Sequence, residues 1–404
     1  MSDERLAHLR DVGQLLWPSP IEMRITTASP SSNSGDREYL LLPSRHRPRM
    51  LVPHGQPRAA AGALRRYGVG RGRTARWAAA FLSTASALGI VPLLARDRVV
   101  LHRPDGPTAS IEDHLADVLG RELFVSMYLS TARANRKPVL QVLDSRGRTL
   151  AYVKVGVDPL TSRLVRDETA ALTALAATDL RGLTVPTVLH QGCWNGLELL
   201  VQAALPVDNR RRRPSPHEVS SAQIEVAAIG RSEATALAGT AYWSALTQRI
   251  GRMPETPAGE RLAELTHHLA EGMGDVALPL GAWHGDWTPW NTARGRGGRL
   301  LVWDWERFGS SVPAGFDALH WALQTDLVTR QSDPLLSAQH CTSSAAGLLE
   351  PFGLDATQAR ATAVTYLADL AARYLADRQD AAGARLGDVT TWLLPAISSG
   401  LARN

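Results

Sequence analysis

Asp286 and Asn291 stand five residues apart, and Asp304 follows thirteen residues later, at the end of the apolar run Leu300 to Trp303. All three lie in one stretch, WHGDWTPWNTARGRGGRLLVWDWERF, from Trp283 to Phe308. The apolar run has to be buried as a strand, so the His-Gly-Asp turn and the residues after it are confined to a short loop beside it. Phosphoryl transfer calls for this inventory: one carboxylate to meet a substrate hydroxyl, with a carboxamide and a second carboxylate to hold Mg²⁺ against phosphates. The spacing from Asp286 to Asn291 is that of the protein-kinase catalytic loop. Without chemistry, the same residues read as a turn and a buried strand ending in an exposed carboxylate.

Upstream, lysine usage narrows the choice. Of 44 lysines and arginines only Lys137 and Lys154 are lysines. A chain that uses arginine almost everywhere else keeps an ammonium where a compact point charge is wanted in place of a forked guanidinium. Lys154 sits mid-strand, where the bland alternative is a surface lysine on a strand face. Two cysteines, Cys193 and Cys341, give neither a disulfide framework nor a cysteine zinc site, so a reducing cytoplasm is expected. The start MSDERLAHLR has no apolar core of a signal peptide. Trp77 to Ala95 is uncharged but broken by Gly89 and Pro92, so no membrane partner is expected. No basic motif interleaved with aromatics supports nucleic-acid binding.

In chain order, residues 1–38 read as loosely structured, with a flexible polar run from Ser29 to Asp36. Tyr39–Leu42 and Met50–Val52 read as a hairpin, Ala59–Arg66 and Thr74–Leu88 as alanine-rich helices, and Arg98–His102 as a strand. Ser110 and Asp113 stand at capping-box spacing before an amphipathic helix to Leu119. Leu123–Leu129, Val139–Asp144 and Leu150–Val157 read as an antiparallel meander with a tight DSRGRT turn. A helix follows, with Leu164, Ala171, Leu172 and Leu175 on one face. Thr187–His190 and Leu197–Val201 are further strands. Pro206–Pro216 is a charged linker, and the remainder is largely helical: 216–229, 232–249, 260–273, 316–327, 334–349, 356–376 and 389–398.

His284-Gly285-Asp286, Asn291 and Asp304-Trp305-Glu306 resemble the aminoglycoside phosphotransferase and choline kinase family of small-molecule kinases. The resemblance implies an α+β, two-lobed protein-kinase-like fold, with a small ATP-binding lobe (121–205) and a large catalytic lobe (206–404); residues 1–120 carry no catalytic motif and read as an N-terminal accessory extension. The resemblance further implies that Asp286 is the catalytic base and that Asn291 and Asp304 are the Mg²⁺ ligands. Lys154 then matches the family's ATP lysine and Glu168 the helix glutamate that holds it, with Asp167 a rival one residue away, about 100° around the helix. Ser130 and Thr131 would contact phosphates from the loop STARANRK, which departs from the kinase pattern in having no glycine. Gln202, Ala203 and Leu205 would read adenine at the hinge. His284 supports the loop, Asp317 is structural, and Glu306 is either a further ligand or a surface carboxylate.

The expected function is ATP- and Mg²⁺-dependent transfer to a hydroxyl of a small molecule. The alternative is a catalytically silent kinase-like binding protein, suggested by the glycine-free loop. Residues 1–250 are basic on balance and 251–404 acidic, which suits nucleotide on one side and a neutral or cationic acceptor on the other. Five tryptophans crowd the motif, at positions 283, 287, 290, 303 and 305. They read mainly as packing, with one or two available as an aromatic wall for an acceptor.

Overall fold

The computed structural model describes residues 2–27, 36–67, 96–104, 109–129, 137–207, 213–253, 255–381 and 386–402. Ser130, Thr131 and the rest of the glycine-free loop to Arg136, the 74–88 helix and the 77–95 apolar segment lie outside the described residues. Among the described residues no helix is long and apolar enough to cross a membrane.

The chain is α+β and divides into two compact units. One holds the described residues of Met1–Ala132, Arg136–Thr169 and Pro186–Leu205; the other holds those of Ala170–Val185 and Pro206–Asn404. In chain order the first elements are α1 (Ser2–Leu16), β1 (Glu22–Thr26), β2 (Arg37–Leu42), β3 (Met50–Pro53), α2 (Pro57–Tyr67) and β4 (Arg98–His102). Next come α3 (Ile111–Leu119), β5 (Phe124–Tyr128), β6 (Val139–Leu143), β7 (Thr149–Gly156) and α4 (Pro159–Ala176), then β8 (Leu183–Thr184), β9 (Val188–Trp194) and β10 (Leu197–Ala203).

The first unit is built on a nine-stranded sheet in the order β1-β4-β2-β3-β5-β6-β7-β10-β9, antiparallel throughout. The first 120 residues therefore supply four strands of the same sheet that carries Lys154. Successive side chains point to opposite faces, and both faces are covered. Tyr39, Leu41, Leu51, Val99 and Val153 pack with Leu9, Val12 and Leu16 of α1 and Ile111 and Leu115 of α3. Leu40, Leu42, Met50 and Val52 face Ala59, Ala60, Ala63 and Leu64 of α2. Two covered faces explain why β2 and β3 read as unbroken apolar runs.

Residues 2–27 are not loosely structured as expected: they form α1 and β1, while positions 29–35 of the expected flexible polar run lie outside the described residues. Leu9, Val12 and Leu16 fall on one helical stripe, and their burial on the sheet holds the segment. Trp17 at the end of α1 donates Nε1–H to both oxygens of the buried Glu112 at 3.0 Å, and Tyr39 bonds the same carboxylate. The helix predicted from Ser110 is present with its capping box: Asp113 N–H donates to Ser110 Oγ at 3.3 Å and Ser110 N–H to Asp113 Oδ2 at 2.9 Å.

The second unit is mostly helical: α5 (Pro216–Ala227), α6 (Ala241–Gly251), α7 (Pro257–Met273), α8 (Phe316–Gln324), α9 (Pro334–Ser343), α10 (Ala345–Leu349), α11 (Ala356–Ala376) and α12 (Leu393–Ala402). α6 starts nine residues later than the expected helix 232–249, because Thr240 caps it by accepting the Trp243 N–H. The residues before it form β11 (Thr235–Ala236), paired with β12 (Ala277–Leu278). β13 (Leu280–Trp283) pairs with β16 (Gly309–Pro313), and β14 (Thr292–Arg294) with β15 (Leu300–Val302), whose other neighbour is β8.

Glycine is required where α2 meets the β6–β7 turn. Gly147 has φ +75, and a Cβ there would lie 2.0 Å from the Arg58 carbonyl oxygen. Gly120, with φ +62, has nothing within 4 Å of the same atom. Gly120→Ala should therefore cost only the left-handed strain, about 1–2 kcal/mol, whereas Gly147→Ala adds overpacking and should cost about 3 kcal/mol or more. Urea unfolding of the two variants checks the difference.

Candidate active site

The loop between β13 and β14 carries the motif, and backbone contacts fix its shape. Gly285 has φ +82, and a Cβ there would stand 2.2 Å from the Arg307 carbonyl oxygen, so only glycine fits. Asp317, on the first turn of α8, accepts the His284 N–H at 2.7 Å and the Gly285 N–H at 3.1 Å. Arg373 of α11 donates to the Gly285 carbonyl at 2.6 Å. Burial pushes the Asp317 carboxyl up to about 7, against the pull of its two N–H donors.

His284 is fully buried: Nδ1 accepts the Asp286 N–H at 3.1 Å and Nε2 donates to the Trp303 carbonyl at 3.1 Å. That pairing needs a neutral ring, and burial holds its pKa down at about 4. Trp305 and Trp287 pack on the imidazole with ring centroids at 4.4 and 5.7 Å. Trp283, Trp287 and Trp305 are buried, while Trp290 and Trp303 are half-buried.

Asp286 is half-buried and held on both oxygens. Asn291 Nδ2 donates to Oδ2 at 2.9 Å and to the Asp286 carbonyl at 3.0 Å, and His320 Nε2 lies 3.1 Å from Oδ1. Burial raises the carboxyl more than any other single influence, but the His320 hydrogen bond, the electrostatic pull of His320 and the Arg373 charge together outweigh it, and the group stays below the usual carboxylate range. Because Nδ2 is spent on Asp286, Asn291 has Oδ1 left as an oxygen donor. The Trp303 N–H donates to the Asn291 carbonyl at 3.1 Å, extending the β14–β15 ladder and bringing Asp304 to the same end of the hairpin. Asp304 has φ +77, a strained conformation for a residue with a side chain. A carboxamide oxygen and a carboxylate are the hard donors that suit Mg²⁺.

Solved small-molecule kinases are similar to this chain. Choline kinase LicA from Streptococcus pneumoniae aligns over 73% of this chain and 98% of its own, at 14% identity and a TM-score of 0.45. A thermostable mutant of aminoglycoside phosphotransferase APH(4)-Ia aligns over 72% and 100%, at 14% identity and a TM-score of 0.47. The ternary complex of APH(2")-IIa with streptomycin and ATP aligns over 74% and 97%, at 13% identity and a TM-score of 0.44. These are proteins of the kinds that the motif resembles. Neither a protein-family model nor a curated protein matches the chain.

In the sheet unit, Lys154 lies mid-β7 between Val139 of β6 and Leu200 of β10. It is 5% exposed and forms an ion pair with Glu168 of α4, which is wholly buried. Asp167 is exposed, so the choice between the two acids falls to Glu168. Helical spacing carries the signal: Glu168 is four residues from Leu164 and Leu172, on the apolar stripe. At the expected hinge, Gln202 is buried in β10, Ala203 gives its N–H to Thr187 and Ala204 to Leu150. Leu205 is half-buried, and its N–H has no protein acceptor among the described residues. His320, which touches Asp286, was not foreseen: it lies 34 residues away, and only the folding of α8 brings it there.

Opposed pH slopes follow from Asp317 and His284. Asp317 rises from 3.8 to about 7 on folding, so the folded chain binds the extra proton and stability falls as pH rises through that window. His284 drops from 6.5 to about 4, so its contribution is present above 6.5 and lost as pH falls toward 4. The two largely offset each other between these limits. Asp317→Asn should remove the first slope and leave stability rising with pH up to 6.5, measurable by urea unfolding across that range.

Proposed function

We propose that the chain is an ATP- and Mg²⁺-dependent phosphotransferase that moves the γ-phosphate to a hydroxyl of a small molecule, such as a sugar, amino sugar, aminoglycoside or amino alcohol. The buried Lys154–Glu168 pair carries this reading. Removing an ammonium and a carboxylate from water is expensive, and an apolar pair of similar size often serves stability as well. A lysine kept there, in a chain that otherwise uses arginine, is accounted for by a job that needs a held point charge: gripping the α and β phosphates while Glu168 fixes its direction.

Asp286 then accepts the proton from the acceptor hydroxyl, and its depressed pKa keeps it in the ionised form that can do so. Asn291 Oδ1 and the Asp304 carboxylate are the groups that would hold the metal. Bound Mg²⁺ would bridge phosphate oxygens and offset the charge developing on them. The Leu205 N–H is the hinge donor left for an adenine ring, and the side chains of Ser130 and Thr131 are retained as candidate phosphate contacts.

Asp286→Ala should lower phosphoryl transfer by about a thousandfold while leaving the melting temperature near that of the wild type; full activity would reject the assignment. In a thermal-shift titration, Mg·ATP should stabilise the wild type and should do so less for Lys154→Met. The absence of any shift at millimolar nucleotide would favour a silent binding protein.

A further inference from the structure

We propose that His320, oriented by Tyr366, is a positioning residue that sets the direction of the Asp286 carboxylate, an inference that rests on the phosphotransferase reading. His320 is wholly buried on α8, and Tyr366 on α11 is 1% exposed. The Tyr366 hydroxyl lies 2.8 Å from His320 Nδ1, and His320 Nε2 lies 3.1 Å from Asp286 Oδ1.

The order of donors along this chain is fixed by what each end can do. An ionised carboxylate only accepts, so Nε2 must carry the hydrogen; the opposite tautomer would set a nitrogen lone pair against an oxygen lone pair. In a neutral ring Nδ1 is then an acceptor, and the Tyr366 O–H donates to it. Burial favours both the neutral imidazole and the protonated phenol. Asp286 thereby sets the tautomer, and Tyr366, bonded to the nitrogen left as acceptor, holds the plane of the ring.

The effect on Asp286 is geometric. Asn291 donates to Oδ2 from within the loop, and His320 donates to Oδ1 from a separate helix. With one donor on each oxygen, rotation about Cβ–Cγ is fixed, and each oxygen keeps a lone pair. The Asn291 bond alone would let the carboxylate swing about Oδ2. A catalytic oxygen misplaced by a fraction of an ångström loses much of its rate. Two buried polar side chains from α8 and α11, ending on a half-exposed carboxylate, are accounted for by this constraint better than by packing.

The test uses the full chain and ADP release from Mg·ATP with water as acceptor, beside histidine ¹⁵N NMR. His320→Phe should lower kcat by about tenfold or more with KM for ATP changed less than about twofold. His320→Gln, whose carboxamide can donate to Asp286 and accept from Tyr366, should recover most of kcat. The NMR spectrum should show His320 as the neutral Nε2–H form, and Tyr366→Phe, which frees the ring to turn, should lower kcat as well. An Nδ1–H ring in the wild type, an unchanged kcat in His320→Phe, or equal losses in the Phe and Gln variants would overturn the role. If Asp286→Ala leaves ADP release unchanged, the phosphotransferase reading fails and this role falls with it. If Asp286→Ala abolishes release and His320→Phe does not lower it, the role alone fails.

Discussion

Two successive backbone N–H groups, those of His284 and Gly285, end on one carboxylate, Asp317, and the second unit's candidate chemistry depends on that clamp. The clamp turns the chain sharply after β13, which puts the Gly285 α-carbon against the Arg307 carbonyl and leaves no room for a side chain. His284 is then driven between Trp287 and Trp305, where its two nitrogens tie Asp286 to the Trp303 backbone. Asp286 emerges from the turn with Asn291 on one oxygen and His320 on the other. The catalytic candidate is thus located by hydrogen bonds from its own loop, from the hairpin after it and from α8.

The sheet unit solves a different problem, that of keeping a charge in an apolar setting. β7 lies between β6 and β10 well inside a nine-stranded sheet, so its mid-strand positions are remote from an edge. Lys154 can stay there because α4 brings Glu168, with no exposed surface of its own, to the ammonium. Strands from the first 120 residues lengthen this sheet, and α1, α2 and α3 cover its two faces. The N-terminal part of the chain is therefore continuous with the scaffold that carries the lysine.

Which parts were legible follows from how local each signal is. The capping box at Ser110, the meander from β5 to β7 and the long helix α11 are written in short-range patterns and appear where expected. Glu168 could be told from Asp167 by helical phase alone, since Leu164, Glu168, Ala171, Leu172 and Leu175 share one stripe. The same test applied to Leu9, Val12 and Leu16 would have found α1, which the polar run after it obscured. His320 could not be found this way. Its partners are 34 and 46 residues distant, and no spacing rule links a residue on α8 to a loop before it and a helix after it. The hinge was only half legible: the strand β10 was clear, but the commitment of the Ala203 N–H to Thr187 is a tertiary fact.

The central proposal is that a chain with a rare buried lysine and a clamped aspartate is a phosphotransferase. Phosphorus NMR of the wild-type chain with Mg·ATP and a pool of hydroxylated sugars, amino sugars and amino alcohols tests it most directly. A phosphomonoester resonance growing in step with ADP is the predicted result. Mg·ATP left intact beside every acceptor, by a chain that is folded, would contradict it.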